Sequence, residues 1–282
     1  MPHRAPQAEA RPRIHAVAIV PARLGSQRLP RKMLLAETGA CLFEHTVRNL
    51  GRCTAIERVV VATDSPEIVA LAGAHGIEAR MTRADHSSGT DRVNEALAQI
   101  GAAGIDVVVN VQGDEPELDP GDLAALVAAF ADASVEAATL CGRIADRAEA
   151  EAPQVVKVVR DARGDALYFS RSTVPFRADD ATRAYARAGA PAWLEVVRRH
   201  VGVYAFRPPA LARFCALPAS ALERVENLEQ LRWLEAGERM RVIEARHVPL
   251  GIDTRADYDA FVLRMSNSSA GSSSRGGGTR GG

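Results

Sequence analysis

Net charge is absent from this chain: 35 basic and 35 acidic side chains cancel over 282 residues. That balance excludes bulk attraction to nucleic acid or to an anionic membrane, so any anion must be held by a local cluster. No apolar run approaches the length of a membrane span, and the opening stretch MPHRAPQAEARPRIHAVAIV lacks the layout of a secretion signal. Cysteine is scarce and scattered. Cys41, Cys53, Cys141 and Cys215 form no C-x-x-C pair and have no histidine at metal-ligand spacing, which predicts reduced thiols and a cytoplasmic protein. The Walker pattern G-x-x-x-x-G-K-[ST] occurs nowhere, and there is no internal repeat.

What is present is a globular composition, 47% hydrophobic and 25% charged, long enough for one large domain or two small ones. Residues 1–13 are rich in Pro, Arg and Ala without periodicity and are expected to be a flexible leader. From about residue 266 the chain, ending in the Gly/Ser-rich run NSSAGSSSRGGGTRGG (267–282), is expected to be a disordered tail. Gly276, Gly278 and Gly281 there spell G-x-G-x-x-G, but no strand precedes them and no helix follows, so no dinucleotide site is implied. The tail's two arginines stand without aromatics, which gives no reason to expect nucleic acid as a partner.

Between the ends, β-branched runs alternate with amphipathic segments. IHAVAIV (14–20), ERVVVAT (57–63) and DVVVNVQ (106–112) have the character of fully buried strands, and Val93, Ala96, Leu97 and Ile100 share one helix face. The alternation predicts an α/β fold, a mainly parallel sheet covered on both sides, with ligand beyond the carboxyl ends of the strands. The 135–206 region reads as partly antiparallel, with a hairpin joining 155–160 to 166–170. A helix is expected over 226–238, closing at Gly237. A last amphipathic segment carries Tyr258, Phe261, Val262 and Met265.

Four loops carry candidate chemistry. PARLGSQRLPRK (21–32) follows the first strand with four cations and no acid. Its Arg23, Ser26 and Lys32 offer cations and donors to a triphosphate, against the alternative of a solvated basic loop. NVQGDEP (110–116) ends the third strand, so Asp114 is either a Mg²⁺ ligand or part of a turn before a Pro-initiated helix. GIDTRADY (251–258) presents Asp253, a second carboxylate or an ordinary helix-start residue. TRADHSSGTDR (82–92) offers Ser88, Gly89 and Arg92 to a base edge, or else Thr90 as a helix cap. Gln112, Arg171, His200, Tyr204, Glu229 and Gln230 are polar residues in otherwise apolar surroundings; singly, such residues are most often satisfied by the core.

In their order along the chain, PARLGSQRLPRK, TRADHSSGTDR, VQGDEP, VVKVVRD…ALYFSR, RHVGVYAFR, ENLEQLRWLE and GIDT resemble the 3-deoxy-manno-octulosonate (Kdo) cytidylyltransferases over about residues 14–265. The basic loop and QGDEP are shared more widely among sugar nucleotidyltransferases; ALYFSR, RHVGVYAF and LEQLR are closer to the Kdo branch. The resemblance implies a nucleotide-diphospho-sugar transferase fold, with a smaller, partly antiparallel dimerisation and sugar-binding part at about 135–206. It further implies a homodimer and Mg²⁺-dependent transfer of CMP from CTP to Kdo. By residue, it implies triphosphate contacts from Arg23, Ser26 and Lys32, cytosine contacts from Ser88, Gly89 and Arg92, and Mg²⁺ on Asp114 and Asp253. The sugar acid would lie against Gln112, Arg171, His200, Tyr204, Glu229 and Gln230, with Arg171 clamping its carboxylate. Two positions depart from the pattern: Arg31-Lys32-Met33 stands where Gly-Lys-Pro is commoner, and Arg255 where Pro commonly follows Asp-Thr. The rival readings are a related 2-keto sugar acid (sialic-acid type or amino-Kdo) and a non-catalytic homologue.

Overall fold

A computed structural model describes residues 13–25, 28–176 and 193–273 of the chain, with side chains as far as Asn267. The elements follow in order: β1 (Ala16–Pro21), a 3-10 turn (Lys32–Leu34), α1 (Leu42–Leu50), β2 (Arg58–Thr63), α2 (Pro66–Ala74), β3 (Ala79–Met81), α3 (Gly89–Ile100), β4 (Val107–Asn110) and α4 (Pro120–Ala128). Next come β5 (Ala137–Gly142), α5 (Arg147–Glu151), β6 (Lys157–Arg160), β7 (Ala166–Ser170), α6 (Trp193–Val196) and β8 (Arg198–Phe206). The chain ends with α7 (Pro208–Ala216), α8 (Ala221–Glu226), α9 (Leu231–Glu235), β9 (Arg241–Glu244) and α10 (Arg255–Ser273).

All six residues of β1 are buried, because both faces of this central strand are covered. Ala16, Ala18 and Val20 enter one core layer with Phe43, Leu123 and Leu126. Val17 and Ile19 enter the other with Val93, Leu97, Phe206 and Trp233. The described strands form one sheet in the order β3-β2-β1-β4-β8-β5-β9, with β6 joined to β8 and β7 to β6. β1 pairs parallel with both β2 and β4, Ala18 lying opposite Val59 on one side and Val109 on the other. The winding therefore reverses between β1 and β4, the place where such sheets open a crevice at their carboxyl edge. The loops after β1 and β4 emerge side by side into it.

The expected antiparallel region is β5 against β8 and β6 against β7. These strands are continuous with the parallel ones, since β8 inserts between β4 and β5. Three details differ from expectation. The cap of α3 is Ser88, whose hydroxyl accepts from the Asp91 amide at 3.1 Å; Thr90 lies inside the helix, where its hydroxyl serves the site instead. The helix expected over 226–238 is interrupted, because Asn227 adopts the left-handed conformation (φ 53°) and separates α8 from α9. The last helix runs to Ser273, past the start of the expected tail, since extending a packed helix needs no new nucleus. Residues 1–12, most of the expected leader, and 274–282 lie outside the described residues. No helix among those described is long and apolar enough to cross a membrane.

Candidate active site

The loop after β1 is shaped by one backbone position. Arg31 is left-handed (φ 57°, ψ 23°), a conformation a non-glycine residue holds only when its surroundings enforce it. Its guanidinium points away from the crevice and grips Glu67 through both oxygens at 2.6 and 2.7 Å. The next residue is thereby turned inward: Lys32 is 7% exposed. Its Nζ donates to a carboxylate oxygen of Asp114, to the Ile252 carbonyl at 2.9 Å and to Asp253 Oδ1 at 3.2 Å. Arg28 reaches the other Asp253 oxygen at 2.9 Å.

Two distant stretches of sequence are thus brought to one ammonium. The Ile252 amide donates to the Asp114 carbonyl at 3.1 Å, pinning the 251–254 strap to the turn after β4. The Ile252 side chain is buried with Leu42, Tyr258 and Phe261, so α10 carries the strap into place. Two glycines stand in close approach here. A Cβ on Gly113 would stand 2.9 Å from Met33 Sδ, and one on Gly251 would stand 2.9 Å from Glu115 Oε1. Met33, at one of the positions that depart from the family pattern, is buried in the loop after β1, against Gly113.

A cavity of about 650 Å³ opens over this cluster. Arg23, Arg28 and Lys32 line one end, and Ser88, Gly89 and Arg92 line the side formed by α3, with Gln112, Asp114 and Asp253 between. Ser26 lies outside the described residues. Arg92 is buried, its guanidinium held by Asp64 at 3.3 Å and the Thr82 hydroxyl. Asn227, exposed on the helix break, also lines the cavity.

The polar residues expected to hold a sugar acid divide into groups. Gln112 donates to Asn110 Oδ1 at 3.3 Å, Asn110 donates to the Thr90 hydroxyl at 3.1 Å, and Thr90 donates to Glu229 at 2.6 Å. This chain of hydrogen bonds runs beneath the cavity floor. Behind it the Tyr204 hydroxyl donates to Gln230 Oε1 at 3.1 Å. Burial raises both the Tyr204 phenol and the Glu229 carboxyl above their ordinary values. Asn110 and Thr90 escaped the sequence reading, since an Asn ending an apolar strand and a Thr opening a helix look structural.

Arg171 lines neither this cavity nor its neighbour. Its guanidinium donates to the carbonyls of Glu226, Asn227 and Pro153, tying β7 to the helix break. His200 lines a second cavity of about 510 Å³ that meets the first at Arg28 and Asp253. Its ring is enclosed by Phe169 and Tyr204 at 4.9 and 5.4 Å and bonds the Thr139 hydroxyl at 2.9 Å. Burial pushes this imidazole down from 6.5 to about 3, so it stays neutral in the fold while the unfolded chain protonates it. Stability is therefore lost as pH falls from about 6.5 towards 3, by at most about 1.4 kcal/mol per pH unit for the one proton. In urea titrations between pH 6 and 4, His200→Phe is expected to lose stability less steeply than the wild type; parallel curves would contradict the assignment.

The donor set suits a hard divalent cation. Asp114 and Asp253 offer carboxylate oxygens within reach of a single positively charged atom. Glu115 Oε2 beside them is buried without a hydrogen-bond partner. Burial first, then the Asp114 and Asp253 charges, raise the Glu115 carboxyl to about 8. Among the described residues no three His, Cys, Asp or Glu side chains gather at ligand spacing. The protein would thus supply two carboxylates to such an ion.

A family profile described as "Cytidylyltransferase" matches residues 17–240. A 3-deoxy-manno-octulosonate cytidylyltransferase of Nitratidesulfovibrio vulgaris strain DP4 is 45% identical over 86% of this chain and 93% of its own length. One from Koribacter versatilis is 42% identical over 95% and 97%. The chain belongs to the 3-deoxy-manno-octulosonate cytidylyltransferase family. A solved structure of CMP:2-keto-3-deoxy-manno-octonic acid synthetase complexed with CTP superposes on this cytidylyltransferase with a TM-score of 0.80. That protein is 38% identical, and the match covers 90% of this chain and 99% of the other. The mixed, mainly parallel sheet flanked by helices is therefore the nucleotidyltransferase fold of that enzyme.

Proposed function

We propose that this cytidylyltransferase transfers CMP from CTP to the anomeric hydroxyl of 3-deoxy-D-manno-octulosonate, releasing pyrophosphate, with Mg²⁺ held by Asp114 and Asp253. The observation that carries the reading is the meeting of Lys32, Asp114 and Asp253 at the mouth of one cavity, on the loops that follow β1 and β4 and on the strap before α10. The relatives' names and the CTP complex of the 38% identical structure support the same substrates.

The sugar oxygen attacks the α-phosphorus. The Pα–O bond to the β-phosphate breaks, the hydroxyl gives its proton to solvent water, and pyrophosphate departs. Both reactants are anions, and unit charges of like sign 4 Å apart repel by about 4 kcal/mol at an effective dielectric of 20. Arg23, Arg28 and Lys32 oppose that repulsion from the phosphate end, where negative charge grows as pyrophosphate leaves. Asp114 and Asp253 would hold Mg²⁺, which would supply Lewis-acid polarisation of a phosphoryl oxygen. Ser88, Gly89 and Arg92 face the side of the cavity assigned to the base. Gln112, held by the Asn110–Thr90–Glu229 chain, is a fixed polar contact for the sugar. Arg171 acts from behind, holding the helix break that presents Asn227. A homodimer in the cytoplasm is the proposed working form, supported by exposed Leu167, Phe176 and Val196 on the β7–α6 side and by four free cysteines.

The test is pyrophosphate release with CTP and Mg²⁺ against Kdo, amino-Kdo and sialic acid, with UTP and ATP as controls. Kdo with CTP is expected to give the highest kcat/KM; faster turnover of another 2-keto sugar acid would reassign the substrate, and no turnover of any would reject the reaction.

A further inference from the structure

Of the 35 basic side chains only two are lysines, Lys32 and Lys157. Both are buried, and both ammoniums are surrounded by oxygen. Lys157 is fully enclosed and donates to the carbonyls of Ala152, Val155 and Arg171. Lys32 donates to Asp114, Asp253 and the Ile252 carbonyl. A chain that uses arginine for every other Lys/Arg cation has lysine at the two places where a compact ammonium, a point charge with three rotatable donors, is buried among oxygens. Oxygens converging on a small cation are also what a divalent metal ion takes. The two cations therefore want the same atoms of Asp114 and Asp253.

We propose that Lys32 is a built-in stand-in for the metal ion: its ammonium holds the two ligand aspartates together until a divalent cation displaces it, and only then is free to reach the triphosphate. The inference rests on the reading of Asp114 and Asp253 as metal ligands. Asp114, Glu115 and Asp253 crowd three carboxyl groups into one corner, and the Lys32 ammonium and the Arg28 guanidinium are the cations bonded to the two aspartates. Without the ammonium the aspartates repel each other and the strap carrying Asp253 is pushed from the turn carrying Asp114. With it, the ligands stay aligned, but metal must compete for them. CTP relieves the competition by offering Lys32 new partners, so metal and nucleotide assist each other's binding, and linkage makes the assistance reciprocal. The arrangement makes Lys32 a positioning residue before it is a catalytic one, and it withholds the lysine's charge from a nucleotide that arrives without metal.

Two measurements on the full-length enzyme test this. The first follows the Cε resonances of ¹³C-lysine-labelled protein, two signals in all, assigned with Lys32→Arg. Mg²⁺ alone, without nucleotide, is expected to shift the Lys32 signal and leave that of Lys157 in place; an unmoved Lys32 signal at saturating Mg²⁺ overturns the proposal. The second titrates Mn²⁺ into nucleotide-free protein, read by electron paramagnetic resonance. Lys32→Met is expected to bind Mn²⁺ about tenfold or more tightly than the wild type, having no ammonium to displace, and to lose most of the enhancement that CTP gives to Mn²⁺ binding. Equal or weaker binding by Lys32→Met overturns the stand-in role. Asp253→Asn separates the two levels: if it binds Mn²⁺ as the wild type does, the metal-ligand reading itself fails. If it loses Mn²⁺ while Lys32→Met is unchanged, only the stand-in is rejected. The resonance experiment uses the wild-type fold, so it decides even if Lys32→Met is unstable.

Discussion

Asp114→Asn is expected to lower the rate of CMP transfer by about a thousandfold or more, the effect of losing several kcal/mol of metal-borne stabilisation in the transition state. The substitution keeps the size and hydrogen-bonding capacity of the side chain and removes its charge. The fold should survive it, because the Asp114 carbonyl still accepts from the Ile252 amide and the Lys32 ammonium keeps Asp253 and the Ile252 carbonyl as partners. Melting temperatures of variant and wild type should accordingly lie within a few degrees. Asp253→Asn should give a comparable loss, and the double variant little more than either alone, since two ligands of one ion act as a unit. Pyrophosphate release under saturating CTP, Mg²⁺ and Kdo measures all three. A fall of less than tenfold, or additive losses in the double variant, would separate the aspartates functionally and remove the shared metal from the mechanism.

That both aspartates belong to one site was legible in the sequence for one of them on physical grounds. A buried β-branched run, a glycine and then Asp114 places a carboxylate at the carboxyl edge of a parallel strand, and the basic loop after β1 arrives at the same edge by the same rule. The adjacency of β1 and β4 follows from the reversal in winding, which pattern alone did not locate. Asp253 was a different matter. It lies 139 positions beyond Asp114, and what brings it back is the burial of Ile252, Tyr258 and Phe261 against Leu42, a tertiary event with no local signature. Motif resemblance supplied what periodicity did not.

The misses have causes of the same kind. ENLEQLRWLEAGE has helical spacing, but Asn227 at φ 53° ends α8 there, and the break frees Glu229 and Gln230 to face Thr90 and Tyr204. A continuous helix would have carried these residues round its axis. Thr90 and Ser88 are both acceptable caps; in the fold Ser88 caps α3 and Thr90 bridges Asn110 and Glu229 from inside the helix. β9 passed unread because four residues, Arg241–Glu244, take strand geometry from long-range pairing, with β5 on one side and a bridge to Asp165 on the other. Arg171 entered the candidate sugar-acid pocket through the family resemblance. In the fold its donors are engaged by three backbone carbonyls, so its effect on the site passes through Glu226 and Asn227.

Lys32→Met is expected to lower kcat by about a hundredfold to a thousandfold, in line with removal of a single preorganised charge donor, while leaving the KM for CTP within a few-fold of wild type. The asymmetry follows from where the ammonium rests. Its hydrogen bonds to Asp114, Asp253 and Ile252 must be broken before it can engage phosphate, so much of what it would contribute to holding CTP is offset by what it gives up. As the Pα–O bond breaks, charge accumulates on the departing pyrophosphate and the balance tips towards the lysine, so its stabilisation appears mainly in the transition state. Arg23 and Arg28 line the same end of the cavity and carry the ground-state attraction without it. Methionine preserves the apolar stem that packs beneath the loop, so the loss reports charge rather than a collapsed turn. Steady-state kinetics with CTP and Kdo varied separately discriminate the cases: a rise confined to KM would show that Lys32 only helps bind nucleotide, and its placement between the two aspartates would then have no part in the chemistry.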